Sequence, residues 1–292
     1  MTQGLPDLPD SPDPASGAEE VPFAVPLARP IGAGPSRPAG VAPLLVPSCS
    51  RPWALLELGV LGLVMLGCMV LLGLLLETAG FVDEQYNINP WGNVVGVAVN
   101  GTAAMVCVVA LTLLRGGSLA ELGLTGRHLA WNGLLGLGAF LAALAAFQFV
   151  GLFVSLLAGR EALAGNVKNI EEMLPRMHWL GFLALSIWVG LWEELTFRGF
   201  ILTRLRRVTG YWWAAILLSS GLFALPHMAQ QVPLAVIPLF AIGVIWSVFT
   251  VWRQSVVPAV IGHTFFNFAQ LIVIFYHEEI AAFFRKFMPQ PV

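Results

Sequence analysis

Apolar residues in this chain gather into long runs, and seven can be marked, over 53–76, 91–114, 131–157, 178–207, 211–231, 234–252 and 255–276. Runs of about 20 residues are long enough to cross a hydrocarbon core about 30 Å thick as α-helices. The pattern predicts an all-α polytopic membrane bundle with about seven transmembrane helices. The fourth run is longer than a bilayer needs, so its basic end is expected to project into water. Glycines recur at helical spacing, as at Gly92/Gly96 and Gly133/Gly136/Gly138. In lipid such small residues let helices approach closely. No strand precedes them, so they do not form a nucleotide loop.

Composition excludes an ordinary soluble domain. Hydrophobic residues make up 57% and charged residues 11%, where soluble domains sit near about 45–50% and about 25%. A net charge of −2, with no basic stripe interleaved with aromatics, argues against a nucleic-acid partner. The segment 1–50 differs from the rest: eleven of the twenty prolines fall there, mixed with Gly, Ser, Asp and Glu. Such a segment buries too little apolar surface to offset its ordering entropy, so a disordered tail is expected. It lacks the basic, apolar and small-residue regions of a signal peptide. Cys49, Cys68 and Cys107 have neither metal nor redox spacing and read as small packing residues.

Lys and Arg asymmetry in the short loops sets the expected orientation. The turn Glu77 to Pro90 carries only acids. Arg115, Arg127, Arg204, Arg206, Arg207 and Arg253 cluster in the alternate turns. This places the N-terminus in the cytoplasm and the C-terminus outside, although Arg160, Lys168, Arg176, Arg285 and Lys286 run against it.

Ionisable residues inside a span cost about 2.5–3.5 kcal/mol at the helix centre by insertion scales, so they need a partner or a task. Three places stand out. In Trp192-Glu193-Glu194-Leu195-Thr196-Phe197-Arg198, Glu194 and Arg198 are four apart and can pair on one helix face. Glu193 is turned about 100° away, and a carboxylate without a cation in a low-dielectric site suits a general base. In Phe223-Ala224-Leu225-Pro226-His227, Pro226 lacks an N–H, bends the helix and frees a carbonyl. In Gly262-His263-Thr264-Phe265-Phe266-Asn267, His263 and Asn267 share a face and can address one cavity. At about 1.5 Å per residue, Glu193 lies about 21 Å from Arg207, His227 about 24 Å from Tyr211 and His263 about 15 Å from Arg253. All three therefore fall in one slab measured from the basic side. His128, His178 and His277 fall in loops or at span ends and read as surface residues, and Glu171 and Glu172 read as a solvated loop face. Asn100 begins a glycosylation sequon, but inside a predicted span.

Peptide hydrolysis needs an activated water, a donor for the oxyanion and a proton for the leaving amine. Glu193 and His227 can polarise the water while His263 and Asn267 stabilise the oxyanion. Alternatively, Glu193, His227 and His263 can hold Zn²⁺ with an open position for water. The sequence leaves both open. Neither HExxH nor GxSxG is present, which sets aside the common zinc-protease helix and the serine nucleophile elbow.

The motifs EExxxR (Glu193, Glu194, Arg198), FxxxH (Phe223, His227) and HxxxN (His263, Asn267) occur in order in successive apolar runs. Together they resemble the CAAX prenyl endopeptidase and bacteriocin-processing family, also called CPBP or Abi, over roughly 115–276. Ser118-Leu119-Ala120-Glu121-Leu122-Gly123-Leu124 is similar to a short segment upstream in that family. The resemblance implies an all-helical intramembrane endopeptidase whose partners are the lipid bilayer and a peptide or lipidated-protein substrate. Eukaryotic members remove the C-terminal tripeptide of prenylated CAAX proteins; bacterial members act on peptides or serve immunity and export. Carried over, Glu193 is the water-activating acid partnered by His227, and His263 and Asn267 are the second polar pair. Arg198 is the structural partner of Glu194, and Phe223 supports the second motif. The family is labelled metalloprotease, with a metal-free glutamate mechanism also proposed for it. Pro226 departs from the usual apolar residue before the histidine. The expected division is a tail over 1–50, two N-terminal spans over 51–114, a protease-like domain over 115–276 and a short tail over 277–292. The expected location is a bacterial plasma membrane. The competing readings are a silent scaffold, immunity or binding protein, and a proton-coupled transporter. The transporter predicts inverted repeats, and no convincing repeat is present.

Overall fold

The computed structural model describes residues 45, 47, 49–126, 128–159, 165–229 and 233–286, the side chains at 166 and 229 excepted. The Pro-rich tail before Leu45, Arg127, Arg160 and residues 287–292 lie outside the described residues. The elements in chain order are α1 (Arg51–Thr78), α2 (Pro90–Leu114), α3 (Leu129–Ala158), α4 (Gly165–Met173), α5 (Trp179–Glu194), α6 (Leu202–Thr209), α7 (Trp212–Ala224), α8 (Val236–Arg253) and α9 (Val257–Arg285). A π-helical segment, Leu195–Ile201, joins α5 to α6. Among the described residues, six helical stretches are long and apolar enough to cross a membrane, the joined Trp179–Thr209 among them. The chain is an all-helical integral membrane bundle.

The fifth expected span, over 211–231, is shorter than its apolar run. The helix at Trp212–Met228 falls below spanning length, because Pro226 ends α7 and the chain continues as a 3₁₀ turn, Leu225–Ala229. Elsewhere the helix starts follow local rules. Asn89 caps α2 by accepting from the Gly92 N–H at 2.9 Å, with Pro90 in the first turn.

Two stretches expected as loop or tail are helical. Glu171 and Glu172 sit on α4, where Lys168 and Glu172 form an exposed pair one turn apart at 3.5 Å. The expected C-terminal tail continues α9 to Arg285, past a non-helical Tyr276. That bend is held from outside the helix. The Tyr276 hydroxyl donates to the Met177 carbonyl at 3.0 Å, and Arg176 pairs with Glu279 while lying 5.5 Å from the Tyr276 ring.

α9 packs against α3 and α5, and α8 against α3 and α7. Close approach depends on missing side chains. A Cβ on Gly136 would lie 2.6 Å from Ile261, and one on Gly190 would lie 2.7 Å from the Thr264 hydroxyl. These contacts draw the middle of α9 against α3 and α5.

The basic end is closed by buried ion pairs that the sequence pattern did not indicate. Glu57 of α1 accepts from Arg115 Nε at 2.8 Å and from Arg204 Nε of α6 at 2.8 Å. Arg115 also pairs with Glu121 in the 3₁₀ turn Leu119–Leu122. Arg204 donates further to the Thr112 hydroxyl at 3.2 Å. Arg115, counted from the sequence only among the basic turn residues, is therefore a bridge. Leu45 donates its N–H to Gln254 Oε1 at 3.1 Å, and Arg207 donates to the Cys49 carbonyl. Burial, with Glu57 nearby, pushes the Cys49 thiol above its ordinary pKa.

Candidate functional site

The site begins where α5 ends. The hydrogen-bond pattern widens from Leu195 to Ile201, a π segment of the kind that is rare and concentrated at functional sites. Glu193 and Glu194 close the last α turn before it, and Arg198 projects from the widened stretch. Arg198 Nη1 donates to Glu194 Oε1 at 2.7 Å, with both side chains at 0% exposure. The pair expected from the spacing of four is present, and water screens neither charge. Arg198 Nη2 donates to the Gly243 carbonyl at 3.3 Å, and its guanidinium lies 4.3 Å from the Phe223 ring centroid. A buried Arg–Glu pair needs such additional partners to offset its desolvation.

α9 brings His263 to the same carboxylate. His263 Nδ1 lies 2.8 Å from Glu194 Oε1. Because a carboxylate accepts, Nδ1 donates, and Nε2 is the ring nitrogen left for chemistry. Nε2 lies 3.9 Å from Glu193 Oε2, too far for a direct hydrogen bond and suited to one bridging water. Glu193 Oε2 and Glu194 Oε2 are buried and have no hydrogen-bond partner among the described residues. Glu194, expected only as the structural partner of Arg198, thus also holds His263.

His227 lies in the 3₁₀ turn Leu225–Ala229 that follows α7. With α7 ended before Pro226, the imidazole turns back and Nδ1 donates to the Phe223 carbonyl at 2.9 Å. That carbonyl is one of those the broken helix frees. The Phe223 ring lies 5.2 Å from the His227 ring and 5.9 Å from the His263 ring, so both imidazoles border one aromatic residue. His263 Nε2 is the basic nitrogen that lies within 4 Å of Glu193 among the described residues. Asn267 lies one turn beyond His263, half-buried.

Trp246 of α8, missed in the sequence, stacks on His263 with ring centroids 4.2 Å apart and planes at 21°. Nothing in the spacing of the ten tryptophans marks this one. Gly243, one turn earlier, was missed for the same reason; a Cβ there would lie 3.3 Å from Arg198 Nη2. Among the described residues no three His, Cys, Asp or Glu side chains are grouped to hold a metal ion. His263 and His227 each donate Nδ1–H to an oxygen acceptor and keep Nε2 open, an arrangement that metal-bound imidazoles share.

His128 precedes α3 in a left-handed conformation. His178 caps α5 by accepting from the Leu180 N–H at 3.4 Å. His277 stands at the bend of α9, its Nδ1 3.0 Å from the Ile274 carbonyl.

No curated protein and no solved structure matches the chain. One family model does, over residues 175–269, about a third of the chain. That stretch holds Glu193, Glu194 and Arg198, the Phe223–His227 turn, and the His263–Asn267 face together with Trp246. Over this segment the chain is similar to the Rce1-like type II CAAX prenyl endopeptidases.

Proposed function

We propose that the protein is an intramembrane endopeptidase that hydrolyses a peptide bond in a membrane-associated or lipidated peptide, using Glu193 as general base. The observation that carries this reading is the approach of Glu193 Oε2, buried without a hydrogen-bond partner among the described residues, to His263 Nε2 at 3.9 Å, close enough for one water beside them to bond to both. That water donates to Glu193, which takes its proton as the oxygen bonds to the carbonyl carbon. Glu193 then returns the proton to the amine as the C–N bond breaks, leaving a carboxylic acid and a free amine. Glu194 fixes the orientation of His263 from Nδ1, as a carboxylate orients a catalytic imidazole in other hydrolases. In its imidazolium form His263 donates Nε2–H to the oxyanion, together with the Asn267 amide. His227, whose Nε2 is left open by the Phe223 bond, borders the same space and assists the water. The gathering of Arg204, Arg206, Arg207 and Arg253 at one end supports placing that end in the cytoplasm.

The test is cleavage of a quenched, lipidated peptide by the purified full-length protein in detergent. Glu193→Ala should lower the rate by about 10²–10⁴-fold, and a chelator should leave the wild-type rate unchanged. A Glu193→Ala rate equal to wild type would remove Glu193 as the base. Inhibition by chelator would return the reaction to a metal.

A further inference from the structure

His263 is held at one edge by Glu194, yet an imidazole anchored only at Nδ1 still swings about that hydrogen bond. The second constraint comes from α8. The Trp246 indole lies nearly parallel to the imidazole, at 4.2 Å and 21°, and is itself only 1% exposed. Phe266 meets it edge-on at 6.1 Å, Phe223 edge-on at 6.0 Å, and the Arg198 guanidinium lies 5.4 Å from its ring. The indole is therefore fixed by neighbours on α7 and α9 and by the π segment, and it offers a rigid plane to the imidazole.

Aromatic pairs in cores occur both stacked and edge-on, and the other close rings around Trp246 are edge-on. Among the described residues its one parallel partner is the imidazole of His263. Its parallel setting leaves the ring edge uncovered, so Nε2 stays turned toward Glu193. A tryptophan that merely filled space could meet His263 at any angle. The indole Nε1–H, moreover, has no hydrogen-bond partner among the described residues, leaving a buried donor beside the imidazole for water or a substrate oxygen.

We propose that Trp246 is a positioning residue that sets the plane of the His263 imidazole and so fixes where Nε2 points. This rests on the peptidase reading for its kinetic consequence, but not for the ring geometry itself. A displacement of about 1 Å at a catalytic group can cost on the order of 10²-fold in rate. Trp246→Leu, which removes the plane and keeps an apolar side chain, should lower kcat about 10–100-fold with KM within about twofold. Trp246→Phe, which keeps a stacking plane, should recover most of that loss.

The independent readout is NMR of the full-length protein carrying labelled histidine, with His263 assigned by a His263→Asn control. The His263 ring protons should be shifted upfield by the indole ring current, should lose that shift in Trp246→Leu and should keep most of it in Trp246→Phe. His263 signals unmoved by Trp246→Leu, or a wild-type kcat in that variant, would overturn the proposal. Should Trp246→Leu fail to fold, the wild-type ring shift against free histidine and the Phe variant's kcat decide. A wild type inert toward every lipidated peptide defeats the peptidase reading, and the ring-current arm then decides the role of Trp246 alone.

Discussion

At the basic end of the bundle, Glu57 gives one oxygen to Arg115 and the other to Arg204, and Arg115 reaches on to Glu121. Two acids meet two arginines, and Thr112 takes a further guanidinium N–H. In the middle of the bundle, Glu193 and Glu194 meet one arginine, with His263 as the only other basic group in contact among the described residues. There Glu193 Oε2 and Glu194 Oε2 are left without partners among the described residues. Both clusters are buried. The first is closed, and a closed network holds helices together. The second has spare acceptors, which cost stability and are what a reaction with water requires.

The sharpest way to break this contrast is to remove one carboxylate from each cluster. Glu57→Ala strands Arg204, which is fully buried, and should cost about 3–5 kcal/mol, read as a drop in unfolding free energy in detergent. Glu193→Ala removes a carboxylate whose contact with His263 is only a 3.9 Å approach, so its unfolding free energy should stay within about 1 kcal/mol of wild type while cleavage collapses. Equal destabilisation by the two would erase the distinction.

A smaller effect tests whether the clusters are mechanically joined. Gly199 lies in the π segment, and a Cβ there would sit 2.7 Å from the Leu122 backbone oxygen in the turn that carries Glu121. Gly199→Ala should cost about 1–3 kcal/mol as the two backbones separate. Cleavage should fall with it, because the same shift moves Arg198. Unchanged cleavage in a destabilised variant would show that the clusters act separately.

The smallest effects lie at the margins. Cys49 borders the closed cluster, and burial with the nearby Glu57 charge raises its pKa, so less thiolate is present at neutral pH. Maleimide should label it slowly in the folded protein and quickly after denaturation, and Glu57→Ala should speed the folded-state labelling. Asp83 provides an exposed counterexample with every acceptor in use. Asn87 through its backbone and side chain, and then Gln85, donate to its carboxylate and lower its pKa. The depressed value means that the turn is supported at pH above the ordinary aspartate range and loses that support as pH falls through the lowered pKa. Amide exchange at Asn87 should therefore accelerate only in that acidic window.

The membrane architecture was legible because uninterrupted apolar runs leave little choice of structure in lipid. The Glu194–Arg198 pair was legible because a spacing of four fixes a shared helix face. Other features depend on partners distant in sequence. Glu57 is a single acid near the start of an apolar run, and only Arg204, 147 residues away, explains it. The π segment differs from an α-helix by hydrogen bonds that local residue preferences do not specify. Trp246 carries no motif, since stacking is a property of two helices meeting.

The widened turn at Leu195–Ile201 also works as a phase joint. Each residue of an α-helix advances the azimuth by about 100°. If the segment lost a residue and α5 ran into α6 as one regular helix, the two ends would be turned against each other by that amount. Either Glu193 and Glu194 would leave His263, or Arg204 would leave Glu57. The extra residue lets each end keep its own angle, so one continuous rod turns Glu194 to His263 in the middle of the bundle and Arg204 to Glu57 at its basic end.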